Sequence, residues 1–376
     1  MFSFLSLFQG SQNMNDSNNL QSLPEYEGLA CPLPLPHNDQ IVIGHGSGGK
    51  MTHDLIRKVF QKYLSSPALL AGNDFASLVL PQLSEQQGTL IVSTDSHVVF
   101  PLFFPGGDIG RLAVAGTVND VAVSGGIPLY LTASFILEEG FPVSLLEKIL
   151  ASMQQTAEEA GVVFIAGDTK VVERGKMDGV FINTTGLGWL PSNVNIHGAN
   201  AQPGDVVILS GSMGDHGMAI LTARGELGIQ SAIESDVAPL NHLIRHLLEA
   251  APNTHVLRDP TRGGVATTLN EIALQSRVGI LLEENALPVK PVVRSMCEML
   301  GFDPLYIANE GKVLAIVPEQ EAQPALDALR SHPLGSQAQV IGKVITEQPG
   351  KVLMRTLIGS TRIVESLSGE ILPRIC

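Results

Sequence analysis

Residues 129–170 read LYLTASFILEEGFPVSLLEKILASMQQTAEEAGVVFIAGDTK, and their apolar pattern indicates the class of fold. Apolar and β-branched residues fill 129–137 and 162–166, whereas the segment 143–160 between them repeats apolar residues at helical spacing. A strand, a helix and a second strand in succession are typical of a mixed α/β layer. The sequence therefore predicts an α/β fold.

The same alternation continues on both sides of this stretch. The first block is completed by predicted strands at 89–99 and 179–187 and a helical block at 108–123. After a linker-like stretch at 191–195, a second block is predicted to hold the strands 205–210, 313–317 and 338–344 and the helices 241–249, 264–276 and 291–300. The predicted parts are a disordered N-terminal extension (1–39), an N-terminal domain (40–192), a C-terminal α/β domain (193–348) and a last strand with a mobile tail (349–376).

Composition limits the classes of protein to consider. A length of 376 residues is enough for two domains with their own cores. The net charge of -14 argues against general nucleic-acid binding, which relies on Lys and Arg. The apolar stretches are shorter than a membrane span, and the basic region of a signal peptide is absent before Lys50. We therefore expect a cytoplasmic globular protein.

The three cysteines are Cys31, Cys297 and Cys376, and they form no CxxC pair. This pattern fits a reducing compartment without structural zinc. Cys297 lies in a helical apolar pattern and is expected to be buried. Cys376 is the last residue, where chains usually stay accessible, so its thiol could act at the tip of a movable arm; a fortuitous terminal cysteine is the alternative.

A glycine-rich loop and several carboxylates in the first block suggest nucleotide chemistry. The loop Gly46, Ser47, Gly48, Gly49 can present backbone amides to an anion, or form a plain tight turn. Loop and strand-end carboxylates beside Gly, Ser or Thr could bridge Mg²⁺ and phosphate, and these are Asp74, Asp95, Asp120 (next to Asn119) and Asp168. Each aspartate alone could be a cap or turn residue, but together they favour Mg-nucleotide binding.

Two motifs in the second block add further polar groups. Arg258 and Arg262 flank the predicted start of the helix 264–276 and suit phosphate or carboxylate binding, with surface arginines as the alternative. Glu310 occupies a turn before a strand, where it could serve as a base if burial or its neighbours adjust its pKa, or be an ordinary turn residue.

Taken together, these motifs resemble the HypE family of hydrogenase maturation factors. The segments that carry the resemblance are 45–49 (HGSGG), 93–96 (STDS), 101–107 (PLFFPGG), 119–122 (NDVA), 167–172 (GDTKVV), 214–217 (GDHG), 258–264 (RDPTRGG), 309–311 (NEG) and 373–376 (PRIC). They run in the family's order across roughly residues 41–376, and the extension 1–39 lies outside the family pattern.

The resemblance implies a two-domain fold like that of aminoimidazole ribonucleotide synthetase, with N-terminal sheets pairing into a barrel across a homodimer. It implies ATP and Mg²⁺ near that interface. Cys376 would receive a carbamoyl group from the carbamoyltransferase HypF, and the tail would carry it into the ATP site for dehydration to a thiocyanate. Cyanide would then pass to iron on the HypC–HypD complex, for the [NiFe] centre.

Specific roles follow from the resemblance together with the chemistry. Glu310 would take protons from the carbamoyl nitrogen, and Lys170 would neutralise phosphate or polarise the carbamoyl oxygen. Two other classes of function stay open at this point. One is a small-molecule kinase or synthetase of the same superfamily with an incidental tail, and the other is a non-catalytic carbamoyl carrier.

Overall fold

We describe the chain from a computed structural model, in which residues 39–46, 50–66, 70, 88–225, 228, 231–366 and 375–376 are described. Residues 37–376 form one compact unit. The predicted disordered extension lies outside the described residues except for Asp39. The division of residues 40–376 into domains at 192 and 348 stays a prediction.

The first half of the compact unit begins with a helical segment and continues with strands and two longer helices. Its helices are α1 (Lys50–Leu55), continued by a π-helical turn (Ile56–Phe60), α2 (Gln61–Tyr63), α3 (Ile109–Ala122) and α4 (Val143–Ala160). Its strands are β1 (Gly88–His97), β2 (Phe103–Phe104), β3 (Gly107–Asp108), β4 (Ile127–Glu138), β5 (Val163–Val172) and β6 (Val180–Pro191). The predicted helix at 143–160 is confirmed with both ends in place.

The second half contains the remaining elements of the described chain. Its helices are α5 (Asp215–Ala223), α6 (Asn241–Ala250), α7 (Gly264–Ser276), α8 (Pro291–Leu300) and α9 (Ala322–Ser331). Its strands are β7 (Val206–Leu209), β8 (Val256–Arg258), β9 (Gly279–Glu283), β10 (Leu314–Val317), β11 (Gln339–Ile345), β12 (Val352–Arg355) and β13 (Thr361–Val364).

The first half is a four-stranded sheet in the order β1-β6-β4-β5, with α3 and α4 packed on one face. Strands β4 and β5 are parallel because α4 connects them as a crossover, and the other pairs are antiparallel. The opposite face exposes apolar side chains, among them Leu90, Val92 and Val163, which are 46%, 58% and 45% exposed. One face of this sheet therefore forms a core, and the described residues leave apolar side chains exposed on the other.

The second half is a seven-stranded sheet in the order β13-β12-β9-β11-β7-β10-β8. Helix α7 packs on one face through Val265, Leu269 and Ile272, and α6 and α9 cover the other face. Because both faces are covered, the central strands read as continuous apolar runs, such as fully buried β10.

The two halves touch through specific polar contacts. The guanidinium of Arg111 on α3 donates to the Val237 carbonyl at 2.9 Å, and the amide of Asn241 on α6 donates to the Ala160 carbonyl at 2.8 Å. Val237 is also buried against the apolar core of the first half. These contacts fix one edge of the first half against the loops of the second.

Among the described residues, no helix is both long enough and apolar enough to cross a membrane.

Candidate functional site

A cleft of about 550 Å³ lies where the two halves meet. Ser93 on β1 and Asp120 on α3 line it from the first half, and Arg258, Asp259 and Arg262 line it from the second. Arg258 ends β8, and Arg262 precedes the left-handed Gly263 that caps α7. Residues from two predicted motifs that are far apart in sequence thus face each other across one opening.

Carboxylates crowd together at this cleft. Burial raises the pKa of Asp120, against the effect of the Ser93 hydroxyl, which donates to its Oδ2 at 2.7 Å; the charge of Asp95 raises it further. Burial and the charge of Asp120 raise the pKa of Asp259 from 3.8 to about 7. Mutual repulsion of this kind indicates that a cation is needed before all these groups can ionise together.

Glu310 lies at the same cluster and is 4% exposed. Burial raises its pKa well above the ordinary value, and the charges of Asp259, Asp236 and Asp95 add to the effect. Its Oε1 atom is buried and has no hydrogen-bond partner among the described residues. A carboxylate with a raised pKa has a high affinity for protons. This property suits a general base that takes a proton from a substrate.

A buried ion pair between Lys312 and Asp236 holds the backbone of Glu310 in place. The Lys312 ammonium lies 3.0 Å from Asp236 Oδ2, and both side chains are at most one-tenth exposed. The backbone N–H of Glu310 donates to Asp236 Oδ1 at 3.1 Å. Burial alone would raise the pKa of Asp236, but the charge of Lys312 lowers it below the ordinary value, so this carboxylate remains ionised and holds the Glu310 backbone.

The residues present fit a Mg²⁺ ion bound together with phosphates. Asp95, Asp120 and Asp259 supply hard oxygen atoms on one side, and Arg258 and Arg262 supply positive charge at the same opening. In the described part of the chain, no group of three His, Cys, Asp or Glu side chains could hold a metal by itself. Phosphate and water oxygens would therefore complete the coordination, as Mg²⁺ usually requires.

Arg258 is partly engaged within the protein, since its Nη2 donates to Glu271 Oε2 at 2.6 Å. The Arg262 side chain is exposed at the cleft mouth. Both predicted arginines are therefore at the opening, and their contact with a nucleotide stays a prediction.

Asn119 is buried and makes hydrogen bonds within the protein. Its amide donates to the carbonyls of Ala238 and Glu310 at 3.1 and 3.4 Å, and its Oδ1 accepts from the Leu240 N–H at 2.7 Å. These contacts favour a positioning role, in which the side chain ties α3 to the segment that carries Glu310. Nucleotide binding by Asn119 stays a prediction.

Asp168 and Lys170 lie away from the cleft within one chain. The strand that carries them extends to Val172, so Asp168 is inside β5 and not at a strand end as predicted. Pairing places Asp168 beside Ser134, Ser134 beside Asn183, and Asn183 beside Ser96 of β1. Three strand spacings of about 4.8 Å put them roughly 14 Å from β1. Both side chains are exposed.

The last two residues of the chain are docked on the protein. Ile375 is 4% exposed, and its carbonyl accepts a hydrogen bond from His216 Nε2 at 2.7 Å. The Cys376 carbonyl accepts from the Val98 N–H at 3.1 Å. Val98 follows directly after β1, three residues beyond Asp95. The half-buried Cys376 thus lies at the end of the strand that carries Asp95 into the carboxylate cluster.

Cys297 has the opposite character. It lies on the buried face of α8 and is 1% exposed, and burial raises its pKa to about 11. The predicted burial of this cysteine is confirmed, and its thiol is unsuited to nucleophilic chemistry.

Some predicted site residues lie outside the described residues, namely Ser47, Gly48, Gly49 and Asp74. Gly46 ends a short 3-10 segment, Ile43–Gly46. Sequence reasoning did not single out Asp259, Asp236 or His216. Asp259 lies in the motif 258–264 and His216 in the motif 214–217, so these motifs could have indicated both residues. No motif surrounds Asp236.

Comparison with known proteins identifies the family of the chain. The chain matches the AIR synthase related protein N-terminal domain over 72–190 and the corresponding C-terminal domain over 202–355. It is 53% identical to the carbamoyl dehydratase HypE of Cupriavidus necator over 93% of this chain and 98% of that protein.

Two solved structures extend the comparison. One is the hydrogenase maturation protein HypE in complex with ATP, with a TM-score of 0.85 and 48% identity over 89% of this chain and 99% of that one. The other is a HypE–HypF complex, in which the matched chain gives a TM-score of 0.72 and 49% identity over 83% of this chain and 99% of that one. The chain therefore belongs to the carbamoyl dehydratase HypE family, within the AIR synthase related proteins.

Proposed function

We propose that this protein dehydrates a carbamoyl group carried on its own C-terminal cysteine, with ATP as co-substrate, in the maturation of [NiFe] hydrogenase. The observation that carries the proposal is the docking of Ile375 and Cys376 on the protein, where the Cys376 carbonyl accepts from the N–H of Val98 just after the strand that carries Asp95. A chain end docked beside this strand can bring a modified thiol towards ATP bound at the cleft. The relationship to carbamoyl dehydratases supports the same activity.

The reaction converts a thiocarbamate into a thiocyanate. The carbamoyl oxygen attacks the γ-phosphorus of ATP, an O–P bond forms, and the bond from that phosphorus to the bridging oxygen of ADP breaks. The nitrogen gives up one proton to yield a phosphorylated imidate. Loss of the second nitrogen proton and cleavage of the C–O bond then release phosphate and leave the S–C≡N group on Cys376. Phosphorylation is needed because an unmodified amide oxygen is a poor leaving group.

Glu310 is the group proposed to take the nitrogen protons. Its buried Oε1 has no protein partner in the described residues, and its raised pKa makes the ionised form a strong base. Asp236 and Lys312 hold its backbone in place. Mg²⁺ held by Asp95, Asp120 and Asp259 would neutralise charge on the phosphates and let these carboxylates ionise together.

The positions of Asp168 and Lys170 bear on assembly. Both lie on an edge strand roughly 14 Å from β1. Among the described residues, the same sheet exposes apolar side chains on one face, with Val92 58% exposed. We propose a homodimer in which two such sheets pair. In that arrangement both subunits contribute residues to each site, and Asp168 and Lys170 contact the phosphates or the carbamoyl oxygen there.

The partners proposed for this chain are HypF for carbamoyl loading and the HypC–HypD complex for cyanide delivery. A relative at 49% identity has been solved as a HypE–HypF complex, which supports the first. Transfer among such proteins would take place in the cytoplasm.

The test follows the mass of the intact protein after incubation with HypF, carbamoyl phosphate and ATP. We expect a carbamoyl adduct that converts to a cyano adduct in wild type and in Cys297→Ser, and no adduct in Cys376→Ala. An undiminished adduct on Cys376→Ala would refute the proposal. Carbamoyl loading without conversion in wild type would indicate a carrier, and ATP turnover independent of Cys376 would indicate a small-molecule kinase.

A further inference from the structure

His216 is buried at the point where the chain end docks, and the mechanism above does not use it. Its side chain has no exposed surface, and its ring packs edge-on to Phe104 with centroids 5.6 Å apart. One ring nitrogen lies 2.7 Å from the Ile375 carbonyl, and the other lies 2.8 Å from Ser235 Oγ. A fully buried imidazole with a partner on each nitrogen is a built contact and not a chance one.

The hydrogen bonds fix the protonation state of the ring. A carbonyl oxygen can only accept, so Nε2 must carry the proton that it donates to Ile375. Ser235 Oγ already accepts from the Val237 N–H at 3.1 Å, which leaves its own proton for Nδ1. Burial lowers the pKa of His216, consistent with a neutral ring. The ring therefore offers the chain end one donor in a fixed direction.

The side chain of Ile375 is held in the same place. It belongs to the core cluster that also contains Phe104, Ile220 and Ala308. Gly217, the residue after His216, lies under it: a β-carbon added there would be 3.4 Å from Ile375 Cδ1 and only 2.5 Å from Ile307. The glycine thus leaves room for the backbone of α5 to approach both isoleucines.

We propose that His216, fixed by Ser235, is the positioning residue that latches the chain end in its docked state, so that Cys376 is held beside Val98, at the end of the strand that carries Asp95. The inference rests on the proposed function for its consequence in catalysis, but the latch itself does not depend on the chemistry. His216 touches Ile375 and not the reacting atoms. Its removal should shift the chain end towards an undocked state without changing the nucleotide cleft.

The first test measures how fast iodoacetamide alkylates Cys376 in a Cys31→Ser, Cys297→Ser background. Loss of a buried hydrogen bond should raise the alkylation rate of His216→Ala on the order of tenfold. His216→Gln should stay close to the parent rate, because its amide nitrogen can donate where Nε2 did. The matched control is His246→Ala, which removes another histidine–serine contact, to Ser331 at 3.0 Å on the exposed surface.

The second test measures single-turnover conversion of the carbamoylated protein. His216→Ala should be slowed by a similar factor, while its ATP affinity and its loading by HypF stay at the wild-type level. Ile375→Ala weakens the same docking from the side of the chain end and should reproduce both effects.

The latch is refuted if alkylation of Cys376 is unchanged in Ile375→Ala and in a folded His216→Ala, or if His246→Ala gives the same increase. Because alkylation requires neither HypF nor ATP, its outcome separates the two proposals. Faster alkylation in a protein that never forms a thiocyanate would keep the latch and refute the proposed function. Normal thiocyanate formation with unchanged alkylation would do the reverse.

Discussion

Asp259 should make the ATP-free protein less stable as the pH rises, and Asp259→Asn should remove much of that dependence. The pKa of this carboxyl is about 7 in the folded chain against an ordinary 3.8. Between those values the folded protein holds a proton that the unfolded chain has released. Stability contributed by this group therefore falls as the pH rises from about 4 to about 7, and is constant above that.

The size of the effect follows from the shift. One pH unit within this window corresponds to about 1.36 kcal/mol, so raising the pH from about 5 to about 7 costs the wild type at most about 3 kcal/mol through Asp259. The neighbouring carboxyls Asp120 and Glu310 also have raised pKa values and share part of this repulsion. We therefore expect Asp259→Asn to gain on the order of 2 kcal/mol over wild type across this range.

The assay is urea unfolding at several pH values, without nucleotide or Mg²⁺. The matched control is Asp327→Asn, which changes an exposed aspartate on α9 that accepts a hydrogen bond from Gln323 at 2.8 Å; its pH dependence should parallel that of wild type. If the pH dependence of unfolding in Asp259→Asn also parallels that of wild type, these carboxylates do not raise one another's pKa. A cation is then not needed for them to ionise together.

Three further predictions concern the same region. Glu310→Gln should bind ATP and accept the carbamoyl group but form thiocyanate on the order of 100-fold more slowly in single turnover, and a normal rate would place the base elsewhere. Asp95→Asn and Asp120→Asn should each weaken Mg-ATP binding about tenfold by calorimetry, since each removes a hard anionic oxygen; unchanged affinity in both would make these residues structural. Gly311→Ala should lower the free energy of unfolding by roughly 1–3 kcal/mol, because its β-carbon would lie 1.8 Å from the Asp236 carbonyl oxygen, and unaltered urea unfolding would contradict that packing.

Local signals predicted many of the elements. The helix Gly264–Ser276 begins at the second residue of a Gly-Gly pair, and the helix Pro291–Leu300 starts with proline. Both were predicted with their observed ends. Strand β8 is three residues long, too short for periodicity to reveal. Helix Ala322–Ser331 was missed, and it carries a proline at its third position.

The site was only partly predictable, for reasons of distance and environment. The motifs around Asp95, Asp120, Arg258 and Glu310 could be read locally, and the fold brings them to one place. The contact between His216 and Ile375 joins residues 159 positions apart, and no local pattern encodes it. The pKa of Glu310 depends on burial and on carboxylates from both halves, which exist only in the folded chain.

The central claim is that the carbamoyl oxygen on Cys376 is transferred to the γ-phosphate of ATP. The direct measurement loads the protein with a carbamoyl group that carries a heavy oxygen isotope, adds ATP in ordinary water, and analyses the released phosphate by mass spectrometry after one turnover. We predict one heavy oxygen in each phosphate released and a cyano group on Cys376. Phosphate without the label, released together with thiocyanate, would show that the oxygen leaves by another route and would contradict the account.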